Sequence, residues 1–600
     1  MSVTSPPPAV RWDLSQFFRG IDDPRIDEAW ADLNRRADQF SATYRGKLAT
    51  GDPEVVGKAI REIEALLQDA TKPGVYAELL FAADASDPKL GAFLQSQRER
   101  GTELQVKLLF FELELQLIPS EKLEAMAGLP GLEPYRHYLQ QVQAYRPHRL
   151  TEPEEIILEE TANTGVRAWV RLFEEITANH KYAYRDPILG EERELSQEEV
   201  LTLLRDANRE VRAAAAHSFT QGLHQLQRVI VYTYNNLLQD KAVGDRLRKH
   251  PYPEHSRHLA NELDQGVVDL VVGLCRDHYG MVSRFYNVKR EILGLPELTH
   301  IDRYAPLHDT QRVVSFDEGR AIVLESFSEF SEELSRRAEE FFAGRWIDAE
   351  PRPGKTGGAF CSFNTPDTHP VVMMSYLNKL DDVMTLAHEL GHGVHASLSR
   401  KQSYFNFHGT LPMAELASIF GEMLVFERLV EESEPADRLA LYAQKIEGVF
   451  ATVFRQAAMY RFEQRCHERR RESGEIEPEE FGQMWHEELQ AMFGDSLKLG
   501  EEHRVWWSYV GHFFFAPFYV YAYSFGELLT LSLYQLAKRE GPGFSDKYLA
   551  LLELGGSRSP KELMETVGVD LSSREFWLGG FAAMEGLVEE FERLWKERGS

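Results

Sequence analysis

Apolar residues recur every three to four positions along most of the chain, with polar and charged residues between them. This spacing places apolar side chains on one face of a helix, as over Leu104–Leu117 and over Leu201–Phe219. A serine followed three residues later by a glutamate forms a capping box at a helix start. That signal occurs at Ser196, Ser315 and Ser559. The pattern predicts that most of the chain is helical.

Alternating patterns typical of strands are few. The segment Tyr182–Leu195 predicts a short hairpin that turns around Gly190. The segments Ala359–Phe363 and Val371–Tyr376 predict two more strands. The fold class that follows is mostly α, with a small β element.

No internal repeat or long low-complexity tract divides the chain. The stretches Arg146–Glu155 and Gly294–Pro306 contain prolines and polar residues, and they are the best candidate joints. We predict an N-terminal helical lobe over residues 1–300 and a catalytic lobe over residues 301–600 that holds the β element.

The composition limits the classes of protein to which the chain can belong. Hydrophobic residues make up 43% of the 600 residues and aromatic residues 11%, which excludes a disordered chain. The 95 acidic and 67 basic residues give a net charge of −28. Such acidity disfavours nucleic acid and anionic membranes. We expect neither among the partners, and the oligomeric state stays open.

Cysteine usage and apolar stretches bear on the location of the protein. Cys275, Cys361 and Cys466 are far apart in sequence and form no Cys-x-x-Cys pair, which suits a reducing cytoplasm. Residues 1–18 lack the apolar core of a secretory signal. The aromatic stretch His512–Tyr523 is shorter than the about 20 apolar residues that span a bilayer. We predict a cytoplasmic protein.

The strongest chemical signal is the sequence His388-Glu389-Leu390-Gly391-His392. Residues four apart lie on one face of a helix, about 6 Å from each other, so both imidazoles can reach one metal ion. Neutral imidazole suits zinc, and Glu389 is placed to act as general base on a zinc-bound water. A chance match is the alternative, and the apolar helical context favours the metal site.

A catalytic zinc site needs a third protein ligand and an open fourth position. His395 lies about 10 Å along the helix from His388, so we expect a packing or supporting role for it. Glu415 and Glu422 lie two turns apart on a helix predicted to start near Pro412, among apolar neighbours. Buried carboxylates need a cation. Glu415 as zinc ligand and Glu422 as acceptor of a ring N–H meet that need, and ordinary ion pairs are the alternative.

Two further patterns carry weaker signals. Gly354-Lys355-Thr356 matches part of a phosphate loop, but the required upstream glycine is Ala349 and a strand follows, which argues against nucleotide binding. A Gly-rich turn beside a strand instead allows a peptide backbone to approach. His512, Tyr519 and Tyr523 offer neutral donors for an oxyanion, but from this segment alone an aromatic core helix is the better explanation.

These segments together resemble the M3 metallopeptidases, specifically the oligoendopeptidase F branch. The segments that carry the resemblance are Asp382–His395, Ala414–Ser418 with Glu422, Gly354–Phe360, and His512 with Pro517-Phe518-Tyr519. The first two motifs together are specific, and weaker likeness extends the match over nearly the whole chain.

The resemblance implies an elongated, two-lobed, mostly helical fold of the neurolysin type. In that fold a small β element lies beside the active site, inside a deep central channel that admits short unfolded peptides. The resemblance also implies one zinc ion as the cofactor, with three protein ligands: His388, His392 and Glu415.

The resemblance further implies roles for residues that would act on the substrate. Glu389 corresponds to the catalytic base, and His512 with Tyr519 or Tyr523 to the residues that steady the scissile carbonyl. Family members often have tyrosine two positions after that histidine. This chain has Phe514 there, so one hydroxyl is missing and the donor set is in doubt.

We therefore predict a zinc-dependent metalloendopeptidase that hydrolyses short oligopeptides by attack of zinc-activated water. A carboxypeptidase or dipeptidyl carboxypeptidase with the same zinc chemistry is the closest alternative. A non-catalytic zinc or peptide-binding protein is the other. The presence of Glu389 argues against that last alternative, because a structural zinc site gains nothing from a base.

Overall fold

The computed structural model describes residues 9–307 and 312–598, and most of them are helical. Residues 1–8, part of the stretch in which no secretory signal is predicted, lie outside the described residues. In chain order the α-helices are α1 Pro24–Tyr44, α2 Pro53–Ala83, α3 Pro88–Leu108, α4 Phe110–Leu115, α5 Ser120–Ala127, α6 Arg136–Ala144, α7 Glu152–Ala162, α8 Val166–Asn179, α9 Gln197–Leu203, α10 Arg209–Leu247, α11 His255–Asn261, α12 Gln265–Asp277, α13 Gly280–Ile292, α14 Phe316–Phe330, α15 Glu332–Ala343, α16 Leu380–Ser399, α17 Leu411–Ala414, α18 Leu416–Glu432, α19 Pro435–Phe450, α20 Gln456–Ser473, α21 Pro478–Phe493, α22 His512–Phe515, α23 Tyr521–Glu540, α24 Phe544–Glu553, α25 Pro560–Glu565 and α26 Arg574–Arg598. The predicted fold class, mostly α, is confirmed.

Two small sheets hold the strands of the described residues. The first is the predicted hairpin: β1 (Tyr182–Arg185) pairs antiparallel with β2 (Glu192–Leu195). Gly190 in the connecting turn has φ of +72°, a conformation that favours glycine. The hairpin prediction is confirmed.

The second sheet has the strand order β3-β5-β4. Its central strand β5 (Val371–Met373) pairs parallel with β3 (Ile347–Asp348) and antiparallel with β4 (Phe360–Ser362). Both strands predicted in this region are confirmed, whereas β3 was not predicted because two residues carry no alternation. Since β4 is an outer strand of this sheet, its free edge is available to a further strand.

Helix starts follow the predicted signals. Ser196 and Ser559 each form a reciprocal capping box with the glutamate three residues later, and Ser315 accepts a hydrogen bond from the backbone N–H of Glu318. The apolar window Leu201–Phe219 contains an interruption that its spacing does not reveal. Asn208 caps α10 there by accepting a hydrogen bond from the backbone of Glu210. A side chain that caps a new helix competes with continuation of the old one.

The chain forms two compact units, each built from three segments. The first unit comprises Met1–Arg146, Gln311–Glu432 and Leu533–Leu571. The second comprises Pro147–Thr310, Ser433–Ser532 and Ser572–Ser600. These interleaved units and the predicted consecutive lobes are different divisions of the chain, and the lobe boundary near residue 300 stays a prediction. No helix of the described residues is long and apolar enough to cross a membrane.

A buried lysine holds the second sheet together in the first unit. The Lys355 ammonium lies 2.6 Å from a carboxylate oxygen of Asp348 and 3.1 Å from the carbonyl oxygens of Asp348 and Glu350, and its side chain is 1% exposed. A buried charge needs such partners. Because these groups accept hydrogen bonds from the Lys355 ammonium, its N–H donors are occupied by the sheet and are not available to a phosphate.

The turn before Lys355 has to contain a glycine. Gly354 has φ of +84°, and a Cβ atom there would lie 2.2 Å from a carboxylate oxygen of Asp84. The backbone N–H of Thr356 donates to the carbonyl of Ala82 at 2.9 Å. The Gly-rich segment is thus fixed against the end of α2, in front of strand β4.

A buried carboxylate organises the start of α10 in the second unit. The fully buried Asp302 accepts two hydrogen bonds from Arg209, at 2.8 and 2.9 Å, and one from the buried Arg212 at 3.1 Å. The backbone N–H of Thr299 donates to the same carboxylate at 3.0 Å. Although burial alone would raise the pKa of Asp302, these donors lower it below its ordinary value.

Replacing this carboxylate by an amide should destabilise the second unit. We expect Asp302→Asn to cost about 3–5 kcal/mol of the free energy of unfolding, because the buried Arg212 loses its counter-charge. In the wild type this contribution is present above the unfolded pKa of an aspartate, about 3.9, and is lost as the pH falls through the lower folded value. Urea unfolding at a series of pH values measures both effects.

The matched control is Asp277→Asn, which removes an exposed carboxylate paired with Arg574. We expect a change below about 1 kcal/mol, as for other surface ion pairs. Equal unfolding midpoints for the two variants, at every pH, would show that Asp302 does not have this role.

Candidate metal centre

Helix α16 carries both histidines of the sequence motif. Its first turn is fixed by Asp382, whose carboxylate accepts hydrogen bonds from the backbone N–H groups of Leu377, at 2.7 Å, and Lys379, at 2.8 Å. The helix is buried over most of its length, so its orientation is set by packing. One turn apart on it, the rings of His388 and His392 have centroids 4.9 Å from each other.

The backbones of α16 and α18 meet at a glycine. A Cβ atom at Gly391 would lie 2.3 Å from the carbonyl oxygen of Ala417 and 2.6 Å from the Cα atom of Ser418. These are backbone atoms, so the neighbouring helix would have to move to make room. Only glycine between the two histidines permits this approach.

The approach brings Glu415 to the histidine pair. One carboxylate oxygen of Glu415 lies 3.4 Å from Nε2 of His388 and 3.5 Å from Nε2 of His392. Two ligands at about 2.1 Å from a tetrahedral zinc ion are separated by about 3.4 Å, so the donor set fits zinc. The continuous helix predicted from Pro412 is wrong in one respect: α17 ends at Ala414, and Glu415 lies at the junction before α18.

Neighbouring groups orient all three candidate ligands. Nδ1 of His388 lies 3.3 Å from a carboxylate oxygen of Glu422, in the arrangement predicted for that residue. The ring of His392 forms a hydrogen bond with the backbone of Ala414. Ser418 donates to the carboxylate of Glu415 at 2.6 Å. With their other ring nitrogens engaged, both histidines direct Nε2 toward Glu415.

Sequence reasoning missed Ser418 and the backbone of Ala414 as supports. The only signal for Ser418 was its position three residues after Glu415. Residues at that spacing are neighbours on any helix, so the spacing alone does not indicate a supporting role. The contact of Ala414 depends on its carbonyl, and no side-chain pattern can indicate a backbone group.

The histidines differ in electrostatic environment. Burial acts to lower the pKa of His388, but the hydrogen bond to Glu422 and the charges of Glu415 and Glu422 outweigh it and raise the pKa to about 9. Burial lowers the pKa of His392 to about 4 despite the charge of Glu415. The site is therefore rich in negative charge, and its residues could hold a cation in place of the proton on His388.

Glu389 lies next to the first histidine and is 6% exposed. Burial, opposed by a charged His388, raises its pKa to about 7. One of its carboxylate oxygens is buried and has no hydrogen-bond partner among the described residues. A buried carboxylate that keeps an unpartnered oxygen costs folding energy, so a role outside folding explains its presence.

His395 is not part of the three-atom donor set. It is buried, its ring lies 6.0 Å from that of Phe363, and burial lowers its pKa to about 3. The expectation of a packing or supporting role agrees with this environment.

The other predicted site residues belong to the second compact unit. Nε2 of His512 lies 3.3 Å from the hydroxyl of Tyr523, and its ring stacks on Tyr519 with centroids 5.5 Å apart. Phe514, at the position where the family often has tyrosine, is buried and stacks on Phe173 at 3.8 Å. The three predicted donors are thus close to one another, while Phe514 contributes to the core of that unit.

A buried helix with two histidines one turn apart, a glutamate beside them and a second glutamate from another helix is the arrangement of a helical metallopeptidase. The comparisons with known proteins agree with this class. The profile of "Peptidase family M3" matches residues 202–583, and that of "Oligopeptidase F" matches residues 114–182. The chain belongs to peptidase family M3.

Curated relatives match over almost their entire length. The chain is 26% identical to oligoendopeptidase F (plasmid) of Lactococcus lactis subsp. cremoris over 601 residues, which covers 98% of both chains. It is 25% identical to oligopeptidase PepF of Bacillus subtilis over 595 residues, which covers 97% of this chain and 87% of the relative. Group B oligopeptidase PepB of Streptococcus agalactiae is also 25% identical, with 97% of both chains covered.

Solved structures share the fold. The crystal structure of oligoendopeptidase-F from Enterococcus faecium matches with a TM-score of 0.73 and 22% identity, covering 95% of this chain and 99% of that one. A chain from Chlamydophila abortus matches with a TM-score of 0.84 and 21% identity, covering 97% and 98%. At these identities the structural likeness supports the helical fold alone.

Adding one methyl group at position 391, where α16 and α18 meet, should disturb the candidate metal centre without altering any of its ligands. We expect Gly391→Ala to destabilise the protein by about 1–3 kcal/mol, the range for overpacked cores. It should also weaken zinc binding, because α18 moves away and takes Glu415 with it. Thermal unfolding and zinc content after dialysis measure the two effects.

The control is Gly448→Ala in α19, where a Cβ atom meets nothing within 4 Å. That substitution should be neutral or stabilising by up to about 1 kcal/mol, since alanine suits a helix better than glycine. Normal zinc content in Gly391→Ala would contradict the role given to the helix contact.

Proposed function

We propose that this peptidase is a zinc-dependent metalloendopeptidase that hydrolyses short, unfolded oligopeptides with Glu389 as general base. The observation that carries the proposal is the convergence of His388 Nε2 and His392 Nε2 on one oxygen of Glu415, at 3.4 and 3.5 Å. The names of the curated relatives, oligopeptidases and oligoendopeptidases, support the size class of substrate.

The three converging atoms would hold one zinc ion. When bound, zinc supplies a Lewis acid that polarises the scissile carbonyl and lowers the pKa of water. His388 and His392 would present neutral Nε2 atoms, and Glu422 would keep His388 in the correct tautomer. Three protein ligands leave a fourth position open, as a catalytic site requires.

Glu389 would move the proton. Its buried carboxylate takes a proton from the attacking water and then delivers it to the amine nitrogen of the leaving product. Burial raises the pKa of this carboxylate above its ordinary value, and a raised pKa suits a group that both accepts and donates a proton near neutral pH.

Strand β4 would align the substrate. Its outer edge is free for backbone pairing in the described sheet, and the adjacent Gly357 and Gly358 have nothing within 4 Å of a Cβ position. Burial and then the charge of Glu389 raise the pKa of Cys361 in this strand, so β4 and the proposed base are neighbours. Pairing through the backbone gives tolerance of many side chains.

His512 with Tyr519 or Tyr523 would stabilise the oxyanion that forms on the scissile carbonyl. This assignment rests on the family resemblance and on the proximity of the three side chains to one another. The hydroxyl that the family often has two positions after this histidine is absent, since Phe514 stands there. The proposed donors are therefore His512 and one of the two tyrosines.

The proposed setting is the cytoplasm, with peptides as the partners. Cys275, Cys361 and Cys466 are all free thiols, which suits a reducing compartment. The net charge of −28 argues against nucleic acid as a partner.

A carboxypeptidase or dipeptidyl carboxypeptidase is the alternative within the same chemistry. An exopeptidase needs a group that binds the substrate's terminal carboxylate, so it fails on a peptide blocked at the C-terminus. Cleavage inside a short peptide blocked at both ends, abolished by a chelator, is the result that the proposed endopeptidase requires. Mass spectrometry of the products distinguishes the two activities.

Removing the proposed base should abolish turnover without emptying the site. We expect Glu389→Gln to keep its zinc and to lower kcat on the doubly blocked peptide by about 100- to 10 000-fold, the usual range for general base catalysis. Zinc content by elemental analysis and kcat by product quantification are measured on the same sample.

The control for that substitution is Asp381→Asn, the same chemical change at an exposed position in the first turn of α16. It should retain wild-type kcat. Wild-type cleavage by Glu389→Gln would falsify the assignment of the base, and a retained rate in the chelated wild type would remove the metal from the reaction.

Removing the proposed third ligand should instead empty the site. We expect Glu415→Ala to weaken zinc binding by more than the roughly 10- to 100-fold that loss of a supporting residue costs. The control Glu431→Ala removes an exposed carboxylate from the far end of α18 and should leave zinc content unchanged. Equal zinc affinity in the two variants would exclude Glu415 as a ligand.

A further inference from the structure

Three histidines from two parts of the sequence meet in the second compact unit. His148 ends a short 3-10 helix, His250 follows α10, and His255 is the first residue of α11. Each offers a ring nitrogen, and these atoms all lie within 4.8 Å of one another. The cluster is separate from the donor set on α16, and the peptidase mechanism does not use it.

The geometry within the cluster resembles that of the first donor set. The ring centroid of His255 lies 4.9 Å from that of His148 and 5.1 Å from that of His250. Both distances are close to the 4.9 Å between the rings of His388 and His392. Nδ1 of His250 lies 2.9 Å from Nδ1 of His255. This distance is that of a hydrogen bond in which one Nδ1–H donates to the other Nδ1. A bound ion would take the place of that proton and widen the separation to about 3.4 Å.

A backbone group already orients one of the rings. Nδ1 of His148 lies 2.8 Å from the carbonyl oxygen of Arg248, so this nitrogen donates and Nε2 keeps its lone pair. A metal-binding histidine is typically fixed in this way by a hydrogen bond from its other nitrogen. The rings of His148 and His250 are stacked at 4.2 Å, so one of them would have to rotate for both nitrogens to face one ion.

No carboxylate of the described residues belongs to the set of three ring nitrogens. Two nearby carboxylates have cationic partners of their own: Glu155 pairs with Arg248 at 2.7 Å, and Asp245 pairs with Lys241 at 2.5 Å. The cluster would therefore hold an ion through imidazole nitrogens alone.

We propose that His148, His250 and His255 form a second metal site, for a divalent transition-metal ion such as zinc. Three nitrogen ligands and no carboxylate suit zinc and its neighbours and do not suit magnesium or calcium, which require oxygen. The ion ties the segment that ends at His148 to the loop between α10 and α11. It contributes to stability, and its binding is independent of the proposed peptidase chemistry.

The test uses a full-length background in which the first donor set is removed by His388→Ala and His392→Ala. After dialysis against zinc, this background should retain about one zinc ion per chain. Adding His250→Ala should lower zinc binding at least about tenfold, the lower bound for damage to a metal site. Adding His224→Ala, an exposed histidine of α10, should leave it unchanged.

A background that retains no zinc, or equal retention in the His250→Ala and His224→Ala variants, overturns the proposal. Because the first donor set is absent from every sample, failure of the proposed peptidase centre cannot produce either result.

A second measurement requires no substitution and covers the case in which a variant does not fold. Diethyl pyrocarbonate modifies accessible, neutral imidazole nitrogens, and mass spectrometry locates the modified residues. In the wild type, zinc should protect His148, His250 and His255, whereas magnesium should not, and His224 should react equally in both. Equal modification of the three histidines with and without zinc overturns the proposal.

Discussion

The backbone contact at Gly391 is the constraint on which the candidate centre depends. Two histidines on one helix supply only two ligands, and the third has to come from another element within about 3.4 Å of both. A side chain at position 391 would hold α18 away by the size of a methyl group, since the opposing atoms are the carbonyl of Ala417 and the Cα atom of Ser418. The glycine in the motif is therefore as necessary for the site as the histidines that flank it.

A cluster of one buried and two half-buried carboxylates follows from the same contact, and a cation would reduce the repulsion within it. Glu389, Glu415 and Glu422 lie around His388, and their charges raise its pKa although burial alone would lower it. Such a cluster is unfavourable for folding on its own. Negative charge and fixed Nε2 atoms together would create the affinity for a divalent ion that the proposed function requires, at some cost in stability.

How far the sequence predicts this structure depends on the distance between the residues involved. The helix of His388 and His392, the helix starts after Ser196, Ser315 and Ser559, and the hairpin follow from patterns within a few residues, and all of them are present. The junction at Glu415 could not be predicted, because its neighbours are good helix formers. Tertiary contacts fix it, among them the Tyr548 hydroxyl, which donates to the carbonyl of Leu416 at 2.6 Å. The cluster of His148 and His250 joins residues about 100 positions apart, and no local pattern connects them.

Charge distinguishes the two proposed metal sites. At the first site the carboxylates of Glu415 and Glu422 face the divalent ion, so electrostatic attraction adds to the binding by the ligand atoms. The second offers three ring nitrogens and no carboxylate, and the nearby cations Arg248 and Lys241 are balanced by their own carboxylate partners. An ion there gains little from long-range attraction and depends on imidazole bonding, which favours zinc over magnesium. The second site should therefore bind its ion more weakly than the first and select more strongly for metals that prefer imidazole. Both properties suit an ion that stabilises a loop and takes no part in catalysis.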